Sequence, residues 1–402
     1  MSRPAHIAVF SVPAHGHVNP SLPLVRELVR RGHRVTYANG AAFAPMIAAT
    51  GATPVVYASR LPRSTSADEW PQDVVAGRQL FLDEAIQALP QLRAAYASDA
   101  PDLVLHDITG WPARILAHEW GVPDVQLWPN LVPWDSYEED NAEAIAAMRA
   151  LPGYAEHERQ FAAWLAEHGL GHMSVDDYVA VPEHGLVLIP RALQPFAHRV
   201  DARYRFVGPL IEPRETEDVW HPPDDGPVLL VSLGSAYTDQ PALYREVLRA
   251  FGDTDWRVVV NIGRTVDPAA LAPVPENIEL HPFVPQLAVL DRAAAFVTHA
   301  GAGSSSEALW FGVPMVAIPQ AVDQFGNADL LVSHGVARRL DRDEVTAEAL
   351  REAVHHVAHD QHIRARADAL RAEVRSEGGA GTAADAVEAL LDRDDRAAPT
   401  AY

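Results

Sequence analysis

The sequence predicts an α/β protein made of two doubly wound parallel-sheet halves facing a central cleft. Three observations carry this. Short β-branched apolar runs alternate with amphipathic helical stretches, the pattern of parallel strands covered by helices. The alternation breaks across Pro209–Gly226, an acidic stretch with four prolines and no period, and then restarts. At 402 residues the chain exceeds what one hydrophobic core supports. The expected division is therefore a first domain at 1–208, a linker at 209–226, a second domain at 227–392 and a frayed tail at 393–402.

Taken in order, the first half reads as strands at His6–Ser11, Arg34–Ala38, Leu103–His106 and Val125–Leu127. Its first helix runs from about Pro20 to Arg31 and is closed by Gly32, the usual C-terminal stop. The acidic stretch from Ser136 to Gly169, with Tyr154, Phe161 and Trp164, reads either as a packed helical pair or as a wall over an acceptor pocket. After the linker, strands follow at Val228–Leu233, Arg257–Ile262, Ile278–Leu280, Ala295–Thr298 and Met315–Ile318. Ligands of such folds bind outside the carboxyl ends of the strands, so the cleft is the expected site.

Composition narrows the function classes. With 48% apolar and 21% charged residues the chain has ample core material. The absence of cysteine excludes disulfides, thiolate nucleophiles and Cys-based metal sites. A formal charge of −22 argues against a nucleic-acid or anionic-membrane partner. No run approaches 18 apolar residues, so no span is expected. The N-terminal apolar run holds Pro13, His15 and His17, which suits a first strand and its loop better than a signal peptide, and the protein reads as cytoplasmic.

The chemistry concentrates at strand ends. Phe296–Glu307 (FVTHAGAGSSSE) runs from a strand through a small loop into a helix opened by Ser304 and ended by Gly312. Free N–H groups and the dipole at such a terminus favour a phosphate, with His299, Ser304, Ser305 and Ser306 as further donors. A plain strand-to-helix turn is the competing reading of the glycines. His17 and Asp107 each follow a strand of the first half; a carboxylate on imidazole Nδ1 would leave Nε2 as a base. Alone, the two also read as a helix cap and a strand end, with His15 and His106 as competitors. Gly234 and Ser235, the segment from Phe283 through Val284 to Gln286, and Asp323–Gln324 are further polar loops at strand ends.

Together AHGHVNPSL, PDLVLHDITGWPAR, VLIPRALQP, VSLGSA, FVPQLAVL, HAGAGSSSEAL and PQAVDQFGNA resemble family 1 glycosyltransferases of the two-domain GT-B type, above all the bacterial macrolide glycosyltransferases. The resemblance spans nearly the whole chain. It implies an inverting, metal-independent transferase with no required cofactor, taking a nucleotide sugar, UDP-glucose, and an apolar macrolide-like acceptor. It implies His17 as general base and Asp107 as its orienting acid. On the donor side it implies phosphate ligands His299, Ser304 and Ser235, with backbone from Gly301 and Gly303. Glu307 matches the carboxylate for the ribose hydroxyls, Phe283, Val284 and Gln286 the nucleoside site, and Asp323–Gln324 the sugar-hydroxyl pair. Phe283 stands where relatives commonly carry Trp, and Gly303 where many plant relatives carry Asn. Trp70, Trp111, Trp128 and Trp134 are the expected acceptor walls.

Other classes predict different residues in use. A dinucleotide-dependent oxidoreductase would use Gly301 and Gly303 with Asp323 on a ribose, but has Ser306 at the third glycine and leaves His17 and Asp107 idle. A sugar-nucleotide epimerase would need no acceptor pocket. Within transferases, the alternative is a biosynthetic enzyme using a TDP-deoxysugar. The state expected in solution is a monomer or homodimer.

Overall fold

The computed structural model describes residues 4–62, 71, 73–212, 220–234, 238–321 and 323–397. They form two all-parallel sheets. The first contains β1 (His6–Phe10), β2 (Arg34–Asn39), β3 (Thr53–Val56), β4 (Leu103–Asp107), β5 (Asp124–Trp128), β6 (Gly185–Val187) and β7 (Tyr204–Phe206), in the order β3-β2-β1-β4-β5-β6-β7. The second contains β8 (Val228–Ser232), β9 (Arg257–Asn261), β10 (Ile278–His281), β11 (Ala293–Thr298), β12 (Met315–Ala317) and β13 (Ala337–Arg339), in the order β10-β9-β8-β11-β12-β13. In each sheet the winding reverses at one place, between β1 and β4 and between β8 and β11. Those are the two points at which such sheets open a ligand crevice.

The central strands are buried on both faces, as parallel sheets require. In β1, Ile7 and Val9 meet Leu24, Val25 and Leu28 of helix Leu22–Arg30, while Ala8 and Phe10 meet Leu82 and Leu89 of helix Val74–Ala95. Four strands lie outside the sequence-derived set: β3, β6, β7 and β13. They are short and sit toward the sheet edges, and Pro54, Gly185 and the pair Arg338–Arg339 interrupt the apolar signal there.

Three sequence-based boundaries change. The first helical path starts at His15, as a turn His15–Val18 leading through Asn19–Ser21 into Leu22–Arg30. The donor-side helix spans Ala302–Phe311 with Gly301 as its N-cap, so Ser304 lies inside it. The last helix, Gly379–Ala397, runs past the expected end at 392 and returns to the first domain. Ala383, Ala384 and Val387 enter the first domain's core beside Leu24 and Leu28. Arg31 locks it there through Glu388 (2.5 Å) and Asp385 (2.7 Å).

The chain thus crosses between domains twice, and the crossings touch. Gly379 N–H donates to the Val207 carbonyl at 2.8 Å. Gly208, at φ +74°, leaves no room for a side chain, since a Cβ there would lie 2.9 Å from that of Glu377.

Candidate active site

The acceptor half is built on the β1/β4 reversal. Phe10 pairs with His106, so residues just beyond these strands meet although His17 and Asp107 are 90 apart in sequence. His17 Nδ1 lies 2.5 Å from Asp107 Oδ2, with side chains 23% and 3% exposed. The other carboxylate oxygen, Oδ1, accepts both the Thr109 N–H (2.9 Å) and the Thr109 hydroxyl (2.6 Å). Burial pushes the His17 pKa down, but the Asp107 charge and hydrogen bond outweigh it and hold it above its ordinary value. Burial likewise pushes Asp107 up, yet His17 and the Thr109 donors hold it below the usual carboxylate range. The pair favours a negative Asp107 beside an imidazole whose Nε2 remains to take a proton. The competing histidines are otherwise engaged: His106 is buried against Asp124 (3.0 Å), and the His15 ring packs edge-on to Phe43, centroids 5.0 Å apart.

The donor half is built on the β8/β11 reversal, where Gly234 follows β8 and His299 follows β11. The two glycines make room for the imidazole: a Cβ on Gly301 would stand 2.4 Å from His299 Nε2, and one on Gly234 2.7 Å from it. Burial draws the His299 pKa down to about 4, against a smaller opposing hydrogen bond to the Ser232 backbone, so the ring is neutral at pH 7. Ala300 turns the chain at φ +61°, and the helix then begins on Gly301 with no side-chain cap. Its first N–H groups therefore stay open to an anion.

The three serines expected around that anion divide. Ser305 is fully buried, and the Ser306 hydroxyl donates to the Ala302 carbonyl at 2.7 Å. Ser304 faces the site, where Gln286 Nε2 donates to its hydroxyl (3.2 Å) and to Glu307 Oε2 (2.5 Å). Gln286, Ser304 and Glu307 thus converge. Phe283 is 57% exposed and offers an open ring face, whereas Val284 is buried and presents backbone. Among the described residues, nothing outside its own helix backbone and chain neighbours lies within 4 Å of a Cβ added at Gly303.

Asp323 and Gln324 are held rather than loose. Gln324 Oε1 accepts the N–H groups of Gln320 (2.8 Å) and Ala321 (3.1 Å), leaving its NH₂ to donate. Asn327 donates to both Asp323 Oδ2 and the Ala300 carbonyl, each at 3.0 Å, tying this pair to the phosphate loop. Burial raises the Asp323 pKa. Neither Asn327 nor Thr109 was singled out from sequence; the N-A-D and D-I-T contexts carry no signal beyond ordinary helix and turn residues.

Two of the acceptor tryptophans, Trp111 and Trp128, need correction. Trp111 is 8% exposed, its ring 4.6 Å from Phe161 in the core under helix Tyr154–Glu167. Phe161, Trp164 and Tyr154 are buried with it, so this segment packs as a helical layer. Trp128 is 7% exposed against Tyr204. Both rings fill core, because their positions on strand β5 and at the start of helix Trp111–Trp120 point them inward. Trp134 is half-buried between Tyr137 and Phe196. Trp70 and Ser235 lie outside the described residues.

The halves meet across a cavity walled by Asn19, Leu22 and Arg26 on one side and Leu287 and Glu307 on the other. Among the described residues no group of three His, Asp or Glu side chains is arranged to hold a metal ion, and no helix is long and apolar enough to cross a membrane.

Comparison with known proteins places the chain in a family. Residues 245–390 match the family model of the erythromycin biosynthesis protein CIII-like C-terminal domain. The chain is 53% identical to oleandomycin glycosyltransferase of Streptomyces antibioticus over 96% of this chain and 91% of the relative. It is 34% identical to an NDP-glycosyltransferase of Bacillus subtilis over 96% and 97% of the two chains. A solved structure, the glycosyltransferase of kitacinnamycin, superposes with a TM-score of 0.90 at 45% identity, covering 97% of this chain and all of that one.

Proposed function

Because this chain belongs to the family of bacterial macrolide and natural-product glycosyltransferases, we propose that it moves glucose from UDP-glucose to a hydroxyl of a macrolide or similar apolar acceptor, with inversion. The observation that carries the reading is the 2.5 Å contact between His17 Nδ1 and Asp107. With Nδ1 committed, Nε2 takes the acceptor proton as the acceptor oxygen attacks the anomeric carbon. The bond from that carbon to the β-phosphate oxygen breaks, UDP leaves, and an α-linked donor gives a β-glycoside. Asp107 keeps its charge and balances the imidazolium that forms.

Leaving-group charge meets the open N–H groups at Gly301–Gly303 and the neutral His299, which supports transfer without a metal. Glu307 and Gln286 suit the ribose hydroxyls, and the Phe283 face suits the uracil. Asp323 and the Gln324 NH₂ suit a fully hydroxylated hexose. A deoxysugar would leave the buried Gln324 NH₂ unpaired, at roughly 1–3 kcal/mol. In the cell we infer antibiotic inactivation, as self-protection or detoxification, carried out in the cytoplasm.

Incubation with UDP-glucose and a panel of macrolides tests this, read as a hexose mass increment, UDP release and anomeric proton coupling. An α-linked product or a glycosyl-enzyme adduct would overturn single displacement. Faster turnover of a TDP-deoxysugar would instead support a biosynthetic transferase.

A further inference from the structure

Helix Gln324–Ser333 joins two parts of the molecule. Asp323 is its N-cap, Gln324 its first residue and His334 its C-cap. Near its start, Asn327 donates to the Ala300 carbonyl at 3.0 Å and fixes the sugar-facing end to the phosphate loop. At the other end the half-buried His334 reaches into the acceptor half, where its Nε2 lies 2.6 Å from the Ala192 carbonyl. A carbonyl only accepts, so Nε2 carries the proton and donates. From its own domain, Arg366 Nε donates to the His334 carbonyl at 3.3 Å.

Ala192 sits in the short turn Arg191–Leu193, within the segment VLIPRALQP. Leu193 shares one buried apolar cluster with Ala328 and Leu331 of the helix. Glu377 accepts the Arg191 N–H at 3.0 Å. Gln194 accepts the Val132 N–H and donates to the Val132 carbonyl, both at 3.0 Å, which ties the turn to the loop after β5. Contacts therefore run without a break from that acceptor-side loop, through the turn and His334, to Asp323 and Gln324. The helix has ten residues and is about 15 Å long. Held at one end it can pivot; anchored in both halves, it has a fixed axis. A displacement of about 1 Å in a substrate-positioning group can cost about 10² in rate.

We propose that His334 is a positioning residue for the donor sugar: its hydrogen bond to Ala192 in the other half fixes the helix axis and so sets Asp323 and Gln324 against the sugar hydroxyls. The inference rests on reading that pair as the sugar grip. His334 acts through the helix and takes no proton in the reaction.

His334→Leu removes the donor, whereas His334→Gln keeps an N–H at matching reach. Affinities for UDP and for UDP-glucose are measured by calorimetry, and kcat with an acceptor that the wild-type protein glucosylates. In His334→Leu the Kd for UDP-glucose is expected to rise about tenfold and kcat to fall by a similar factor, while the Kd for UDP stays within about twofold. His334→Gln should match the wild type in all three. A folded His334→Leu variant whose two affinities shift together or not at all would overturn the proposal, and so would a His334→Gln variant as impaired as His334→Leu. If His334→Leu does not fold, the wild-type protein decides. The Leu193 and Gln194 amides donate to the Pro190 and Arg191 carbonyls. By reciprocity of coupling, UDP-glucose should slow their hydrogen exchange at least about threefold more than UDP does; equal protection overturns the proposal. A wild-type protein that binds UDP but not UDP-glucose refutes the donor reading, and the coupling falls with it. Binding of UDP-glucose without the split refutes the coupling alone.

Discussion

Asp107→Asn is the sharpest test of the dyad, because the structure fixes how the amide must sit. Both Thr109 donors point at Oδ1, so the amide oxygen is held there and the NH₂ is turned to His17 Nδ1. Nδ1 must then accept, which places the ring proton on Nε2 and blocks the base. The charge is lost as well. At about 4 Å between charge centres and an effective dielectric near 20, a unit charge stabilises the imidazolium by roughly 4 kcal/mol. At about 1.4 kcal/mol per decade this is on the order of 10³ in rate. With the tautomer effect the expected fall in kcat is about 10³–10⁴, approaching the roughly 10⁴ lost when the corresponding acid of a serine-protease triad is changed to Asn. UDP affinity should stay within about twofold, because the donor groups lie on the other sheet. Turnover is read by UDP release and affinity by calorimetry. A folded Asp107→Asn variant that keeps more than about a tenth of wild-type kcat would refute both the base assignment and the tautomer argument.

Other expectations follow from the same coordinates. The rate should rise with pH through an apparent pKa above 6.5, since His17 must be neutral to act and its pKa is raised; a midpoint below 6.5 would contradict this. His299, drawn down to about 4, binds its proton more weakly folded than unfolded. It therefore costs stability as pH falls from about 6.5 toward 4, and thermal melts of His299→Gln should lose that part of the acid slope. Gly301→Ala forces a Cβ to 2.4 Å from the His299 ring and should raise KM for UDP-glucose at least tenfold, with about 1–3 kcal/mol of destabilisation. Gly303→Asn meets open space and should fold normally, as a melt would show. Chelator should leave most activity intact; complete loss restored by Mn²⁺ or Mg²⁺ would refute metal independence.

The central strands were legible because burial on both faces writes a continuous apolar run, as in β1 and β11. The edges were not, because three-residue strands such as β6 and β13 carry Gly185 or paired arginines and no period. In the site, residues of unusual chemistry (His17, Asp107, His299, Gln286 and Glu307) could be named from sequence. Residues that hold them, Thr109 and Asn327, could not, since their roles exist only through contacts. The helix start was misplaced for a physical reason. Ser is the commoner N-cap, but a serine oxygen there would occupy an N–H that the glycine cap leaves open. The tryptophans misled because an indole signals burial without saying against what.

The twofold crossing near Gly208 and Gly379 bears on how such enzymes can be recombined. Grafting a foreign donor half onto this acceptor half takes two seams rather than one. A chimera joined only in the linker would inherit a final helix from the wrong parent. That helix would face Leu24, Leu28 and Arg31 with residues selected against a different surface. Placing the second seam at the Gly378–Gly379 turn would return Ala383, Ala384, Val387 and Glu388 to their own partners.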